Sequence, residues 1–133
     1  MTRFVVDART LLRVLESGRT VPPAHQLVAP ASIRSQVMDL LLQKVQHGDL
    51  PEQEALAVHE QLTETKLRLL NDRVSRRTAW DIARQQGWDT IGNAECIALV
   101  RLQAAAPMTI DADLAAAAAK LVPVAALERV FHT

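Results

Sequence analysis

Four side chains of this sequence could together do metal-dependent chemistry: Asp7, Gln36, Asn93 and Asp111. Two are carboxylates and two are the neutral amide counterparts of carboxylates. Asp7 ends the apolar run Phe4-Val5-Val6, and Asp111 ends Met108-Thr109-Ile110. Both runs read as short buried strands that lead into helical segments. In an open parallel sheet, groups at the carboxyl ends of strands share one crevice. Two aspartates gathered there offer hard anionic oxygens, the donors that a divalent cation such as Mg²⁺ takes.

The elements that must position these groups follow from the apolar pattern. Strand Phe4–Val6 leads into a helix over Thr10–Glu16, stopped by Ser17-Gly18. Leu27-Val28-Ala29 reads as a second strand. A helix from about Ala31 to Gln46 carries the stripe Ile33, Val37, Leu40, Leu41 and Val45. Pro51 suits the first turn of the next helix, which buries Ala55, Val58, His59 and Leu62. His59 reads as a packed or partly exposed neighbour of the core, since no other histidine stands at ligand spacing from it. Thr65–Leu70 reads as a third strand, and Arg73–Gln86 and Asn93–Gln103 as helices. Strand Met108–Ile110 and helix Asp113–Lys120 follow. Val122-Pro123-Val124 is a last edge strand weakened by its proline. Strands alternating with helices indicate one α/β domain over residues 1–133, with a mainly parallel sheet.

Bulk properties narrow the function classes. The 133 residues are 49% apolar and carry no formal net charge, so a core can form and nothing global selects for nucleic acid. The one cysteine, Cys96, lies in an apolar stretch and reads as a buried small hydrophobe. No run has the length of a membrane span, and a cytoplasmic protein is expected. Locally the charge is uneven. Lys66 to Arg84 holds six basic residues (Lys66, Arg68, Arg73, Arg76, Arg77 and Arg84) against Asp72 and Asp81, and the remainder is net acidic. A basic patch beside an acidic pocket suits an RNA-cleaving enzyme, and a solvated helix face accounts for it equally well.

Several segments, taken in order, resemble the PIN domain, in particular the toxin ribonucleases of VapBC toxin–antitoxin pairs. Phe4-Val5-Val6-Asp7-Ala8 resembles the opening strand with its first metal-binding aspartate. Ala29-Pro30 through Gln36-Val37 resembles the segment where such toxins carry a glutamate before valine. Leu69–Val74 and Ala79–Ala83 resemble the start of the central helix and its continuation. Thr90–Leu99 resembles the helix that opens with the third acid, and Met108–Asp111 the strand that delivers the fourth. The resemblance spans nearly the whole chain. It implies a three-layer α/β/α domain in which acids hold Mg²⁺ or Mn²⁺ for in-line attack on an RNA phosphodiester. It further implies an antitoxin partner, RNA as substrate, a homodimer, and no small-molecule cofactor.

This chain departs from that pattern at three positions. Gln36 stands for the glutamate and Asn93 for an aspartate, so shape is kept and charge is lost. Arg9 stands where the family has a small hydroxyl residue. It could pair with Asp7 or Asp111 and supply a fixed positive charge, or point to solvent from the first helical turn. Three acids could compensate. Asp39 lies one helical turn after Gln36, Glu95 lies two residues after Asn93, and Asp113 follows the strand end. Plainer roles compete with these: a surface charge for Asp39, a first-turn anion for Asp113, and for Asn93 itself a helix N-cap.

Two further features bear on partners. Arg73, Arg77, Trp80 and Arg84 share one helix side, where the indole can stack on an unpaired base or rest on arginine stems. Leu40, Leu41 and Leu42 are consecutive, so at least one faces away from the core and supports an interface, homodimeric or with an antitoxin helix.

Overall fold

Strand β1 (Thr2–Val6) lies inside the sheet, between β2 (His25–Pro30) and β4 (Ala106–Met108), while β3 (Leu67–Leu70) forms the edge beyond β2. All three pairings are parallel. The computed structural model describes residues 2–103, 106–108, 112–119, 121–122 and 124–132. The helices are α1 (Ala8–Glu16), α2 (Ile33–Gln46), α3 (Glu52–Glu64), α4 (Arg73–Gln86), α5 (Gly92–Gln103) and α6 (Ala112–Ala119). A short 3-10 helix, Leu127–Phe131, follows them.

The continuous apolar run of β1 is explained by cover on both sheet faces. Phe4 and Val6 join Leu27 and Ala29 on one face, under Leu11, Leu12 and Leu15 of α1, Ile33, Val37 and Leu41 of α2, and Ala55 and Leu62 of α3. Val5 and Val28 point the other way, onto Cys96, Leu99 and Val100 of α5. Helix α4 sits outside α5, and the contact is made of small residues: Ala79 and Ala83 against Ala94 and Ala98, with Ile82, Ile97 and Ala118. Alanine there lets the helix backbones approach closely. The result is three layers, α/β/α, as the alternation of apolar runs predicts.

Local chemistry fixes the helix ends. The Thr10 backbone N–H donates to Asp7 Oδ1 at 3.0 Å, and the Ser75 N–H donates to Asp72 Oδ1 at 2.7 Å. Both aspartates are N-caps with extended backbone. Helix α4 ends at Gly87 in the left-handed region (φ 71°), and the Trp88 N–H donates to Ala83 O at 2.9 Å. Trp88 then lies half-buried over the edge of the α4–α5 cluster.

Three expectations need correction. The edge strand placed at Val122 and Val124 does not form: the chain bends at Val122 and continues into the 3-10 helix, while Pro123 lies outside the described residues. Proline supplies no ladder donor, and the following residues instead bury Val130 against the first sheet face. Strand β4 begins two residues earlier than read from Met108-Thr109-Ile110, with Val6 opposite Met108, and Thr109 and Ile110 lie outside the described residues. Strand β3 starts at Leu67, because Thr65 is the C-cap of α3. Among the described residues no helix is long and apolar enough to cross a membrane.

The 3-10 helix is fastened to the loop before β2. Arg19 Nη1 donates to Glu128 Oε1 at 2.7 Å, and its guanidinium lies 3.9 Å from the centre of the Phe131 ring. That guanidinium also holds the Glu128 carboxyl below its usual range. His25 Nδ1 lies 2.7 Å from the Val130 carbonyl oxygen.

Candidate acidic site

Asp7 leaves the carboxyl end of β1 half-buried, with its carboxylate at the amino terminus of α1. Sequence reasoning read Asp7 as a metal ligand and missed this cap, although an aspartate before a helical run is its signal.

Glu95 comes from the first turn of α5 and lines a narrow crevice with Pro30, Leu70, Ser75, Arg76 and Leu99. Pro30 and Leu70 are the last residues of β2 and β3, so this crevice opens at the carboxyl ends of the strands. Partial burial raises the Glu95 pKa, and the Arg76 charge opposes that shift without cancelling it. Arg76 is itself oriented by Asn71: its Nη1 donates to the Asn71 backbone oxygen at 2.8 Å and to Oδ1 at 3.2 Å. Arg76 was legible only as one of six basic residues, and its place in the crevice depends on how α4 docks.

Cys96 connects the two acids. Its buried thiol is pushed up to about 12, first by burial and then by the negative charges of Asp7 and Glu95. A thiol so protonated is a poor nucleophile. Cys96 in the folded protein is expected to resist iodoacetamide at pH 8 and to react fully in urea, and rapid native alkylation would contradict this burial.

The other residues singled out in the sequence are placed differently. Gln36 is exposed on the first turn of α2, and its Nε2 donates to Ser32 Oγ at 3.0 Å. Asp39, one turn on, is also exposed, as are Asn93 and Arg9. Among the described residues no ion pair joins Arg9 to Asp7. Asp111 lies outside the described residues, and so does the side chain of Asp113.

Divalent-cation chemistry can be tested on this donor set. Asp7 and Glu95 are hard oxygen donors of the right kind, and the partial desolvation of Glu95 would be relieved by a bound positive charge. Among the described residues no group of three or more His, Cys, Asp or Glu comes together as a metal site. Two carboxylates plus water fit a weakly held Mg²⁺ or Mn²⁺, which keeps several waters in any case.

On α4, Arg73, Arg77, Trp80 and Arg84 are all exposed, and the Arg77 Nε donates to Asp81 Oδ1 at 3.2 Å. Trp80 is 58% exposed, and the cation–π contact among the described residues is Arg19 on Phe131. On α2, Leu41 is buried, Leu40 half-buried and Leu42 exposed. His59 is half-buried. A hollow of about 1090 Å³ lies away from the acids, between Gly18–Pro23 and the first residues of β2 and β3.

No family model matches the sequence, and no curated protein is similar to it in sequence. Solved structures are similar in shape. The crystal structure of PAE2754 from Pyrobaculum aerophilum has a TM-score of 0.73 at 15% identity, over 98% of this chain and 93% of that one. The structure of VapBC-1 from nontypeable Haemophilus influenzae has a TM-score of 0.59 at 11% identity, over 96% of this chain and 99% of that one. These likenesses together with the sheet order and layers described above identify the fold as a three-layer α/β/α PIN-like domain with a parallel central sheet.

Proposed function

We propose that this chain is a VapC-like PIN-domain endoribonuclease in which Glu95 takes the role that the sequence pattern gives to Asn93. The observation that carries this reading is the position of the two acids: Asp7 leaves the carboxyl end of β1, and Glu95 lines a crevice with the last residues of β2 and β3. Asp7, Glu95 and Asp111 would hold Mg²⁺ or Mn²⁺, and Asp39 stays a surface acid. Such a cation supplies positive charge at the scissile phosphate and acidifies its bound water. The chain's own part is to present anionic oxygens, to shed water around Glu95, and to hold Arg76 beside Glu95 for a phosphate oxygen.

Glu95 must be ionised to hold a cation, and its pKa is raised. Mn²⁺-supported cleavage of RNA is therefore expected to climb with pH through that raised value. Glu95→Gln should lower cleavage about 100-fold, equivalent to about 3 kcal/mol of transition-state stabilisation. Wild-type cleavage by the Glu95→Gln protein would remove this assignment. The same shift has a sign for stability. The folded state binds this proton more tightly than the unfolded state, so Glu95 favours the fold at acid pH and costs stability as pH rises past its folded pKa.

A second reading has its own support. Gln36 is turned to Ser32 and Asn93 to solvent, so two of the four expected positions add no charge to the crevice. On that reading the protein acts by binding RNA or an antitoxin, with weak or absent cleavage. Exposed Leu42 on α2 and Leu56 on α3 are the surface for an antitoxin helix or a second copy of the chain. Retained RNA binding without Mn²⁺-dependent cleavage would favour it over the first.

A further inference from the structure

We infer that the outer face of α4 is a track for single-stranded RNA, with an unpaired base stacked on Trp80. The inference rests on the RNA-directed reading above and adds where and how the strand is held. Successive steps of four, three and four residues join Arg73, Arg77, Trp80 and Arg84, so all four fall within one narrow stripe. The opposite side carries the buried residues Ser75, Ala79, Ile82 and Ala83. The stripe is thus the face that the fold itself does not use.

Its chemistry is specific in kind. Trp80 is 58% exposed and Val74, beside the stripe, is 61% exposed. Among the described residues no guanidinium sits over the Trp80 ring, so its face is open to a ligand ring. Arg77 is tied to Asp81, whereas Arg73 and Arg84 form no ion pair among the described residues. Guanidinium groups at both ends of an open indole match phosphates on either side of an exposed base. Duplex RNA keeps its base faces inside the stack and would find only the arginines.

Position supports the same occupant. The stripe begins at Arg73, one residue after the cap Asp72, and Arg76 in the same first turn lines the crevice with Glu95. From Arg73 to Arg84 the helix rises about 16 Å, long enough for about four stacked nucleotides. A strand on α4 would therefore end within one helical turn of the acidic crevice.

The test measures binding in EDTA, so that no cleavage intervenes. The chain has two tryptophans, and Trp88→Phe leaves Trp80 as the single indole. Titration with an unstructured octamer of adenylate is expected to quench Trp80 fluorescence to saturation, with a blunt duplex of equal length binding more weakly. Fluorescence anisotropy of labelled octamer, on protein that keeps Trp88, gives the affinities independently of that substitution. Trp80→Ala should weaken the octamer about 10-fold, and Trp80→Phe should retain most of the affinity. Arg73→Gln and Arg84→Gln should each lower the salt slope by about one unit. Unquenched Trp80, equal binding of octamer and duplex, or unchanged affinity in Trp80→Ala would overturn the inference. Quenching that depends on protein concentration without RNA, together with a dimer in sedimentation, would assign the face to a second copy and overturn it as well. Quenching without cleavage in Mn²⁺ would reject the nuclease reading alone, and cleavage indifferent to Trp80→Ala would reject this inference alone.

Discussion

Asp7→Ala should lose both RNA cleavage and stability, whereas Asp7→Asn should lose cleavage and keep its stability. The difference comes from two jobs done by one carboxylate. As an N-cap it accepts the Thr10 N–H at 3.0 Å. Asparagine caps a helix as well as aspartate does, while alanine costs about 1 kcal/mol. As an anion at the strand end it would hold the divalent cation, and neither replacement keeps that charge. Cleavage in Mn²⁺ should fall by about 100-fold or more in both variants. Urea midpoints should separate them, with Asn near wild type and Ala lower. An internal check is available at Cys96. Asp7 helps to push that thiol up, so its pKa should fall in both variants. Full activity in Asp7→Asn would end the assignment of Asp7 to the reaction.

Phe4→Ala should produce the largest loss of stability. Phe4 is 1% exposed, in the centre of the sheet, with β2 on one side and β4 on the other. Its ring meets the His25 ring edge-on, centroids 5.1 Å apart at 70°. Removing it deletes buried surface and leaves a cavity, together worth about 3–5 kcal/mol. Against a total of about 5–15 kcal/mol for a domain, that is a large share. The thermal midpoint should drop by on the order of 10 °C. The slope of unfolding free energy against urea should be unchanged if the same core is exposed on unfolding. Leu42→Ala is the control: that side chain is 57% exposed, and a change within about 0.5 kcal/mol is expected. Equal losses at the two positions would show that the core does not centre on β1.

The sheet was readable because its strands are covered on both faces, which makes each one an uninterrupted apolar run. Phe4-Val5-Val6 and Leu27-Val28-Ala29 could therefore be placed without knowing which residue faced which layer. Proline is an uneven guide: no strand forms at Val122 or Val124 beside Pro123, yet Pro107 lies within β4. An edge strand has one side that needs no ladder donors, so proline is tolerated there. The acidic site was half readable. Asp7 follows from its strand. Glu95 over Asn93 does not, because α5 buries Ala94 and Cys96 through Val100 without interruption. A helix apolar on nearly every side has no stripe from which its rotation can be read. Residues two apart then point in different directions, and packing alone decides that Glu95 faces the crevice and Asn93 the solvent.

The sheet order has a consequence for biosynthesis. β1 leaves the ribosome first, and β2 can join it about twenty residues later, but the partner on its other side is not made until residues 106–108. For most of translation one border of β1 carries bare backbone donors and acceptors beside a strongly apolar face. Nascent chains in that condition pair with whatever strand is near. Stalled or truncated forms ending before β4 should thus be the species that chaperones hold and that aggregates recruit.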